Sequence, residues 1–254
     1  YLDTQQAYFC THQDLDISRP IDSKRFAGLK AVINCAAYTN VEKAEDEFEL
    51  ACQINGHALT HLATLVNILN IPLIHFSTDY VFDGTKKSPY LPTDKTNPLS
   101  AYGKSKLIGE EIFMKEVNRG YLIRTSWVYS EFGNNFVKTM IRLGKEKNEI
   151  SVVNDQWGSP TYASDLALAV LELLKQDVMD KEILHFSNEG IISWYDFACE
   201  IMKLKNLNCR VVPIPTSDYK TKAQRPLYSV FEKSATFKTF QDWKTSLQKC
   251  LTYL

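Results

Sequence analysis

The 254-residue sequence lacks an excess of either charge sign, since 29 Lys and Arg residues stand against 30 Asp and Glu for a net charge of −1. No overall field would therefore attract nucleic acid or an anionic membrane, and we expect neither as a partner. The sequence also lacks an apolar run near the roughly 20 residues that a bilayer-spanning helix needs. No secretory signal is recognisable near its start. These absences predict a cytoplasmic globular protein, for which 44% hydrophobic and 23% charged residues are ordinary values.

Paired cysteine motifs are absent as well. The six cysteines form no Cys-x-x-Cys, and several lie in apolar runs, so we expect reduced core thiols rather than a disulfide framework or a zinc site. His57 and His61 share a helix face, but no Glu follows His57 as a metalloprotease site requires, and we assign no metal. The cysteines are Cys10, Cys35, Cys52, Cys199, Cys209 and Cys250.

Glycine is scarce, with ten residues in all and none among the first 27. A dinucleotide-binding fold normally opens with a strand, a glycine-rich turn and a helix, where the turn lets the backbone approach the pyrophosphate. That turn is missing, and Ala7-Tyr8-Phe9-Cys10 fits the second strand of such a fold better than the first. Either the first strand and turn, roughly 30 residues, precede this sequence, or the fold is degenerate and binds no cofactor. We favour the first alternative, because a sheet without a central strand leaves backbone groups unpaired.

Apolar runs and helical periodicity alternate along the first half of the sequence. Short joins between such elements favour a parallel sheet with helices on both faces. The predicted fold class is therefore α/β: a Rossmann-like, doubly wound parallel sheet with a smaller α+β C-terminal substrate lobe. The predicted elements are strands at 29–36, 73–77 and 121–124, helices at 44–69 and 100–117, and a long loop at 83–98.

After residue 133 the alternation changes to shorter strands and turn-rich segments. No Pro, Gly or Ser-rich linker separates the two parts, so we expect intertwined lobes. Residues 1–133 and 164–188 are predicted to form the dinucleotide-binding Rossmann domain, and residues 134–163 and 189–254 the substrate-binding lobe. The predicted elements are helices at 135–147, 164–175, 193–204 and 241–251, and strands at 149–153, 183–187 and 211–214.

Polar clusters follow three predicted strands of the first half. They comprise residues 34–39, 77–80 and 125–127. Ligands of parallel α/β sheets bind outside the carboxyl ends of the strands, so these clusters should converge on one crevice.

Tyr102 and Lys106 lie four residues apart on the predicted helix 100–117, and therefore on one helix face. A nearby ammonium favours phenolate and lowers a tyrosine pKa from about 10 toward working pH. Such a tyrosine can exchange a proton with a sugar or alcohol oxygen, to which Thr78 could also offer its hydroxyl. A surface Tyr-x-x-x-Lys pair is common on helices, and it is the convergence of the polar clusters that favours a catalytic pair.

With these residues in view, the chain resembles the dTDP-4-dehydrorhamnose reductase family of the extended short-chain dehydrogenase/reductase superfamily. The likeness extends over almost the whole chain from about residue 14. Tyr-x-x-x-Lys marks only the superfamily, whereas the segments at 77–84 and 124–129 are much more specific. The segments that carry the likeness are 32–39 (VINCAAYT), 42–45 (EKAE), 77–84 (STDYVFDG), 102–106 (YGKSK), 124–129 (RTSWVY), 133–136 (GNNF) and 225–226 (RP).

The resemblance implies reduction of the C4 keto group of dTDP-4-dehydro-L-rhamnose to dTDP-L-rhamnose. It implies that Tyr102 protonates the C4 oxygen, that Lys106 holds the nicotinamide ribose and lowers the tyrosine pKa, and that Thr78 completes the catalytic triad. The implied cofactor is NADPH or NADH, bound by Asp16, Ile17, Ala36, Ala37, Thr39, Tyr102 and Lys106. The implied contacts to the dTDP-linked 4-keto-6-deoxyhexose are Thr78, Asp79, Tyr80 and Trp127 at the sugar, and Asn135, Gln156 and Arg225 at the thymidine diphosphate.

Other functions stay open at this stage. A sugar-nucleotide 4,6-dehydratase usually places Glu after Asp, and Tyr80 takes that place here, which argues against elimination. A 4-epimerase needs only the triad and a sugar free to turn over. A non-catalytic subunit is a third alternative, because the β subunit of methionine adenosyltransferase is similar to the same family. Cofactor preference and oligomeric state, including a homodimer, are not decided by the sequence.

Overall fold

A computed structural model describes residues 7–177 and 180–254 of the chain. Its strands are β1 (Val32–Asn34), β2 (Leu73–Thr78), β3 (Gly120–Thr125), β4 (Val128–Tyr129), β5 (Glu149–Val153), β6 (Trp157–Gly158), β7 (Thr161–Tyr162), β8 (Lys181–Phe186), β9 (Ile192–Ser193) and β10 (Arg210–Ile214). Its α-helices are α1 (Phe48–Cys52), α2 (Ala58–Leu69), α3 (Ala101–Glu116), α4 (Phe136–Glu146), α5 (Ala163–Leu173), α6 (Trp194–Leu204) and α7 (Trp243–Leu251).

The main sheet of the described residues is parallel and has the strand order β1-β2-β3-β8. Successive side chains of a strand point to opposite faces of a sheet. Accordingly, Leu73 and Leu122 join an apolar cluster with α2 and α3, whereas Ile74 and Ile123 pack in a second cluster with α5. Both faces are therefore covered by helices, which confirms the predicted α/β fold class.

A separate apolar cluster holds the later part of the chain together. Val137 of α4, Phe197 of α6 and Leu247 of α7 meet there and are fully buried. The parallel pair of β5 and β10 flanks these helices, with Ile150 opposite Val211. The smaller pairs are β4 with β7, parallel, and β6 with β9, antiparallel. The exact division into domains stays a prediction.

The predicted helix 44–69 is interrupted. It starts with a 3-10 turn at Lys43–Glu45, continues as α1, and passes through a π-helical turn at Gln53–His57 into α2. Single π turns are often found at functional sites. Here the turn buries Asn55 and Gly56 against α3, so close that a Cβ on Gly56 would lie 2.7 Å from Cγ2 of Ile108.

Two sequence expectations are wrong in the described residues. The segment 7–10 forms no strand, because a strand needs a hydrogen-bonded neighbour and no described strand pairs with it. The cysteines are free, but Cys10 and Cys35 are exposed rather than in the core. Cys10 lies in that irregular segment, and Cys35 follows β1 where the chain leaves the sheet.

No helix within residues 7–177 and 180–254 is both long and apolar enough to cross a membrane.

Candidate active site

The site is assembled where α3 begins beside the end of β2. Ser100 caps the helix by accepting a hydrogen bond from the backbone N–H of Gly103, and Glu45 accepts one from the N–H of Ala101 at 2.8 Å. Gly103 allows a very close approach, because a Cβ there would lie 2.3 Å from the carbonyl oxygen of Tyr80. The first turn of α3 is therefore fixed against the residues that follow β2.

Tyr102 lies in this first turn, half-buried, near the Thr78 hydroxyl at the end of β2. Its ring meets the ring of Tyr80 edge to face, with centroids 5.9 Å apart. Burial raises the pKa of Tyr102 to about 12; the nearby Thr78 hydroxyl opposes this shift, and the nearby Asp79 adds to it. The phenol is therefore protonated at neutral pH, as a proton donor must be.

Lys106 lies one turn further along α3 and is 3% exposed. Its Nζ donates a hydrogen bond to the backbone oxygen of Phe76 at 2.6 Å. Burial lowers the pKa of Lys106 to about 8, against the opposing charge of Glu110. The sequence predicted that Lys106 lowers the tyrosine pKa, whereas in this geometry the pKa of Tyr102 is raised. The physical reason is that desolvation of the phenol outweighs the other influences on it.

A buried ion pair between Glu110 and Arg124 stabilises this region. Glu110 accepts two hydrogen bonds from Arg124, at 2.9 Å from Nε and 2.6 Å from Nη2, and one from Ser77 Oγ at 2.5 Å. Arg124 Nη1 donates to the backbone oxygen of Pro92 at 3.0 Å, which fixes the long loop at 83–98. Sequence reasoning missed Glu110, although its i, i+4 spacing from Lys106 was a usable signal.

Asp79 is also buried, at 2% exposed. It accepts hydrogen bonds from Thr78 Oγ1 at 3.1 Å and from Ser229 Oγ at 2.6 Å. Burial raises the pKa of Asp79 to about 6, and these hydrogen bonds oppose the shift. Nothing in the sequence signals Ser229, because it lies 150 positions away.

Tyr80 lies just after the end of β2. Arg225 reaches it from a much later segment of the chain. Their side chains lie near each other, and Arg225 Nη2 donates a hydrogen bond to Glu42 Oε1 at 2.6 Å. Burial raises the pKa of Tyr80, so this hydroxyl stays protonated. Tyr80 thus lies between Arg225 and the ring of Tyr102.

Trp127 has a left-handed backbone, with φ of 50°, which is uncommon for a bulky residue and costs free energy. Its indole stacks on Trp194 with centroids 3.6 Å apart and an angle of 11° between the planes. Gly158 lies against the same indole, since a Cβ there would be 2.6 Å from Cε2. Contacts within the protein therefore cover much of the Trp127 indole surface, which the sequence predicted to contact the sugar.

The remaining predicted substrate residues make local contacts. Asn135 caps α4 by accepting from the N–H of Lys138, and its Nδ2 donates to the backbone oxygen of Ser130 at 2.7 Å. Gln156 is buried and donates to Thr216 Oγ1 at 3.1 Å. Neither residue contacts Tyr102 through these hydrogen bonds. Their role toward a bound nucleotide stays a prediction.

The segment after β1 runs along the same edge of the sheet. Ala36 and Thr39 are exposed there, and Ala37 is half-buried. Asn55 of the π turn holds this segment: its Oδ1 accepts from the N–H of Tyr38 at 2.8 Å, and its Nδ2 donates to the Tyr38 oxygen at 3.0 Å. The same Nδ2 donates to Ser105 Oγ at 2.9 Å, so Asn55 joins this segment to α3.

Asp16 and Ile17 lie in a turn before β1. Asp16 accepts hydrogen bonds from the N–H and the hydroxyl of Ser18, which lower its pKa, and it pairs with Arg19 at 3.2 Å. Ile17 packs at the edge of the cluster under α2. Across the described part of the chain, no three His, Cys, Asp or Glu side chains are grouped as metal ligands.

The parallel sheet, with Thr78, Tyr102 and Lys106 gathered at its carboxyl edge, has the architecture of the extended short-chain dehydrogenase/reductase superfamily. Within it, the chain belongs to the family described as RmlD substrate binding domain, whose model matches residues 3–254.

Relatives with known names cover most of the chain. The sequence is 43% identical over 204 residues to the spore coat polysaccharide biosynthesis protein SpsK of Bacillus subtilis, covering 80% of this chain and 71% of that protein. It is 38% identical over 237 residues to dTDP-4-dehydrorhamnose reductase of Aggregatibacter actinomycetemcomitans, covering 87% of this chain and 80% of that protein. The crystal structure of dTDP-4-dehydrorhamnose reductase from Bacillus anthracis in complex with NADP matches with a TM-score of 0.92 and 36% identity, covering 97% of this chain and 90% of that one.

Proposed function

We propose that this protein reduces the C4 keto group of dTDP-4-dehydro-L-rhamnose to give dTDP-L-rhamnose, with Tyr102 as general acid. The observation that carries the proposal is the placement of Tyr102 beside Thr78 at the end of β2 and one turn before the buried Lys106 on α3. The name of the Aggregatibacter relative supports the substrate, since that protein is a dTDP-4-dehydrorhamnose reductase.

The cofactor of the proposal is NADPH, which the Bacillus anthracis relative solved with NADP supports over NADH. The edge after β1 fits a dinucleotide, because small and exposed side chains there leave the backbone accessible. Bound at this edge, the reduced nicotinamide supplies the hydride for C4. The residues proposed to hold the cofactor are Asp16, Ile17, Ala36, Ala37, Thr39, Tyr102 and Lys106.

The side chains of the triad have separate roles in this proposal. Tyr102 gives its proton to the C4 oxygen, and its pKa of about 12 keeps that proton in place until negative charge develops on the oxygen. Thr78 donates or accepts a hydrogen bond at the same position and orients the phenol. Lys106, the nearby ammonium on the same helix face, stabilises the phenolate that remains.

The proposed substrate contacts lie in two groups. Asp79, Tyr80 and Trp127 face the sugar, while Asn135, Gln156 and Arg225 hold the thymidine diphosphate. Arg225 suits a diphosphate because its planar guanidinium presents several N–H donors. We also propose that residues 1–133 with 164–188 carry the cofactor, and residues 134–163 with 189–254 the substrate.

The test is the loss of NADPH absorbance when full-length protein meets dTDP-4-dehydro-L-rhamnose generated in the same cuvette. Tyr102→Phe should cut turnover by a factor of about 10² or more, because it removes only the proton donor. Tyr253→Phe is the matched control: this tyrosine is 64% exposed near the C-terminus, and turnover should not change. Near-normal turnover in Tyr102→Phe would sink the mechanism.

Other results of the same assay point elsewhere. Interconversion of sugars without net loss of NADPH would indicate a 4-epimerase. Cofactor binding without any turnover would indicate another keto sugar or a non-catalytic subunit. The proposal includes a cytoplasmic location. It also includes no nucleic-acid partner, for which the net charge of −1 is the support. Light scattering on the full-length protein decides between a monomer and a homodimer.

A further inference from the structure

Residues 222–229, called segment 222–229 below, are fixed near the active site by contacts with the turn that follows β1. Glu42 of that turn makes two of them: Oε1 accepts from Arg225 Nη2 at 2.6 Å, and Oε2 accepts from the backbone N–H of Lys222 at 2.9 Å. The Lys222 ammonium pairs with Asp46 at 2.6 Å on the surface. Glu42 therefore holds both the backbone of the segment and the side chain of Arg225.

The other end of segment 222–229 is fixed independently. Ser229 donates its hydroxyl to the buried carboxylate of Asp79, and its N–H to the backbone oxygen of Trp157 at 2.9 Å. Pro226 packs on Gly84, where a Cβ would lie 2.6 Å from the proline Cα. Loss of the Glu42 contacts would therefore loosen Arg225 without releasing the whole segment.

Arg225 lies between these two fixed ends, with its side chain 20% exposed. Its hydrogen bonds to Glu42 and to the Ala223 oxygen engage two of the five N–H donors that a guanidinium carries. Donors therefore remain for an anionic ligand, and Tyr80 connects the guanidinium to the ring of Tyr102. An arginine already held in place loses little conformational freedom when it binds such a ligand.

We infer that Glu42 is a positioning residue, which holds Arg225 for the diphosphate of the sugar nucleotide. This inference rests on the proposed function. In the alternative case, the Glu42 carboxylate competes with the diphosphate for the Arg225 guanidinium. Removal of the Glu42 charge should then tighten binding. The two alternatives predict changes of opposite sign.

The experiment compares full-length wild-type protein with Glu42→Gln. We expect KM for the keto-sugar nucleotide and the calorimetric Kd of thymidine diphosphate to rise about three- to tenfold, the size expected for one partly exposed charged contact. Because the contact is made equally before and during reaction, kcat should stay within about twofold. A general folding defect would instead lower kcat through loss of active protein.

Asp46→Asn is the matched control. It removes a carboxylate from the same turn and an ion pair to the same segment, but that pair is exposed at 63% and 61% and does not touch Arg225. Its KM and Kd should change by less than about twofold. Glu42→Asp keeps the charge and should restore part of the lost affinity.

The outcomes separate the inference from the proposed function. Unchanged or tighter binding in Glu42→Gln, with an active wild-type protein, would overturn the positioning role alone. An equal rise in Asp46→Asn would also overturn it, since the turn rather than the Arg225 contact would then be responsible. A wild-type protein that neither binds thymidine diphosphate nor oxidises NADPH would overturn the proposed function and this inference together.

Discussion

The buried pair of Glu110 and Arg124 allows a quantitative prediction about stability. Both side chains are 3% exposed, and Glu110 accepts three hydrogen bonds in all, two from Arg124 and one from Ser77. Glu110→Gln retains the size of the side chain but leaves the Arg124 guanidinium without a counter-charge. Breaking a buried pair from one side typically costs about 3–5 kcal/mol, most of it from the uncompensated charge. We therefore expect the free energy of unfolding to fall by that amount.

Urea unfolding followed by circular dichroism measures the change, from the midpoint and the slope of the transition. Glu146→Gln is the matched control, because Glu146 pairs with Arg142 on the surface at 53% and 59% exposed, and should cost no more than about 0.5 kcal/mol. Replacing both buried partners, as Glu110→Leu with Arg124→Met, should restore much of the loss, because no lone charge is left. A loss below about 1 kcal/mol in Glu110→Gln would refute the reasoning, and would mean that the Pro92 carbonyl and its surroundings suffice to hold the Arg124 charge.

Two further predictions concern pH and packing. Because burial lowers the pKa of Lys106 from 10.5 to about 8, the native state binds fewer protons than the unfolded chain between these values, so this group makes stability rise with pH there. Urea unfolding of ligand-free protein across pH 8–10 should show that rise in wild type and less of it in Lys106→Met; equal slopes would contradict the assignment. Gly158→Ala places a Cβ 2.6 Å from the Trp127 indole and should displace it from Trp194, costing about 1–3 kcal/mol. The stacked-indole signal in near-ultraviolet circular dichroism should weaken. Gly28→Ala, which strains a left-handed backbone (φ 88°) but places a Cβ with nothing within 4 Å, should leave that signal intact.

Much of the fold, and the placement of Tyr102 and Lys106 on one helix, was accessible from the sequence, because both depend on local patterns. The periodicity around Tyr102 and Lys106 placed them on one helix, and α3 runs from Ala101 to Glu116, close to the predicted 100–117. The apolar runs that became β2 and β3 ended in polar residues, so their convergence followed from the geometry of parallel sheets. These predictions needed no information about distant parts of the chain.

The contacts that the sequence did not reveal join distant residues. Arg225 pairs with Glu42 across 183 positions, and Ser229 reaches Asp79 across 150. No spacing rule links such residues, since only tertiary packing brings them together. The prediction of a lowered pKa for Tyr102 was wrong for a related reason. The spacing to Lys106 was visible in the sequence, but the extent of burial, which raises that pKa, was not.

The apolar cluster shared by α4, α6 and α7 has a consequence for folding during synthesis. It unites residues from Tyr129 to Leu251, and β5 pairs with β10 across about sixty positions. During synthesis, Val137 and Ile141 of α4 therefore have no partners from α7 until α7 itself has been made. Loop closure over such separations is slow, and the exposed apolar surface is open to aggregation meanwhile. The apolar cluster shared by α4, α6 and α7 is thus complete only after α7 has been made.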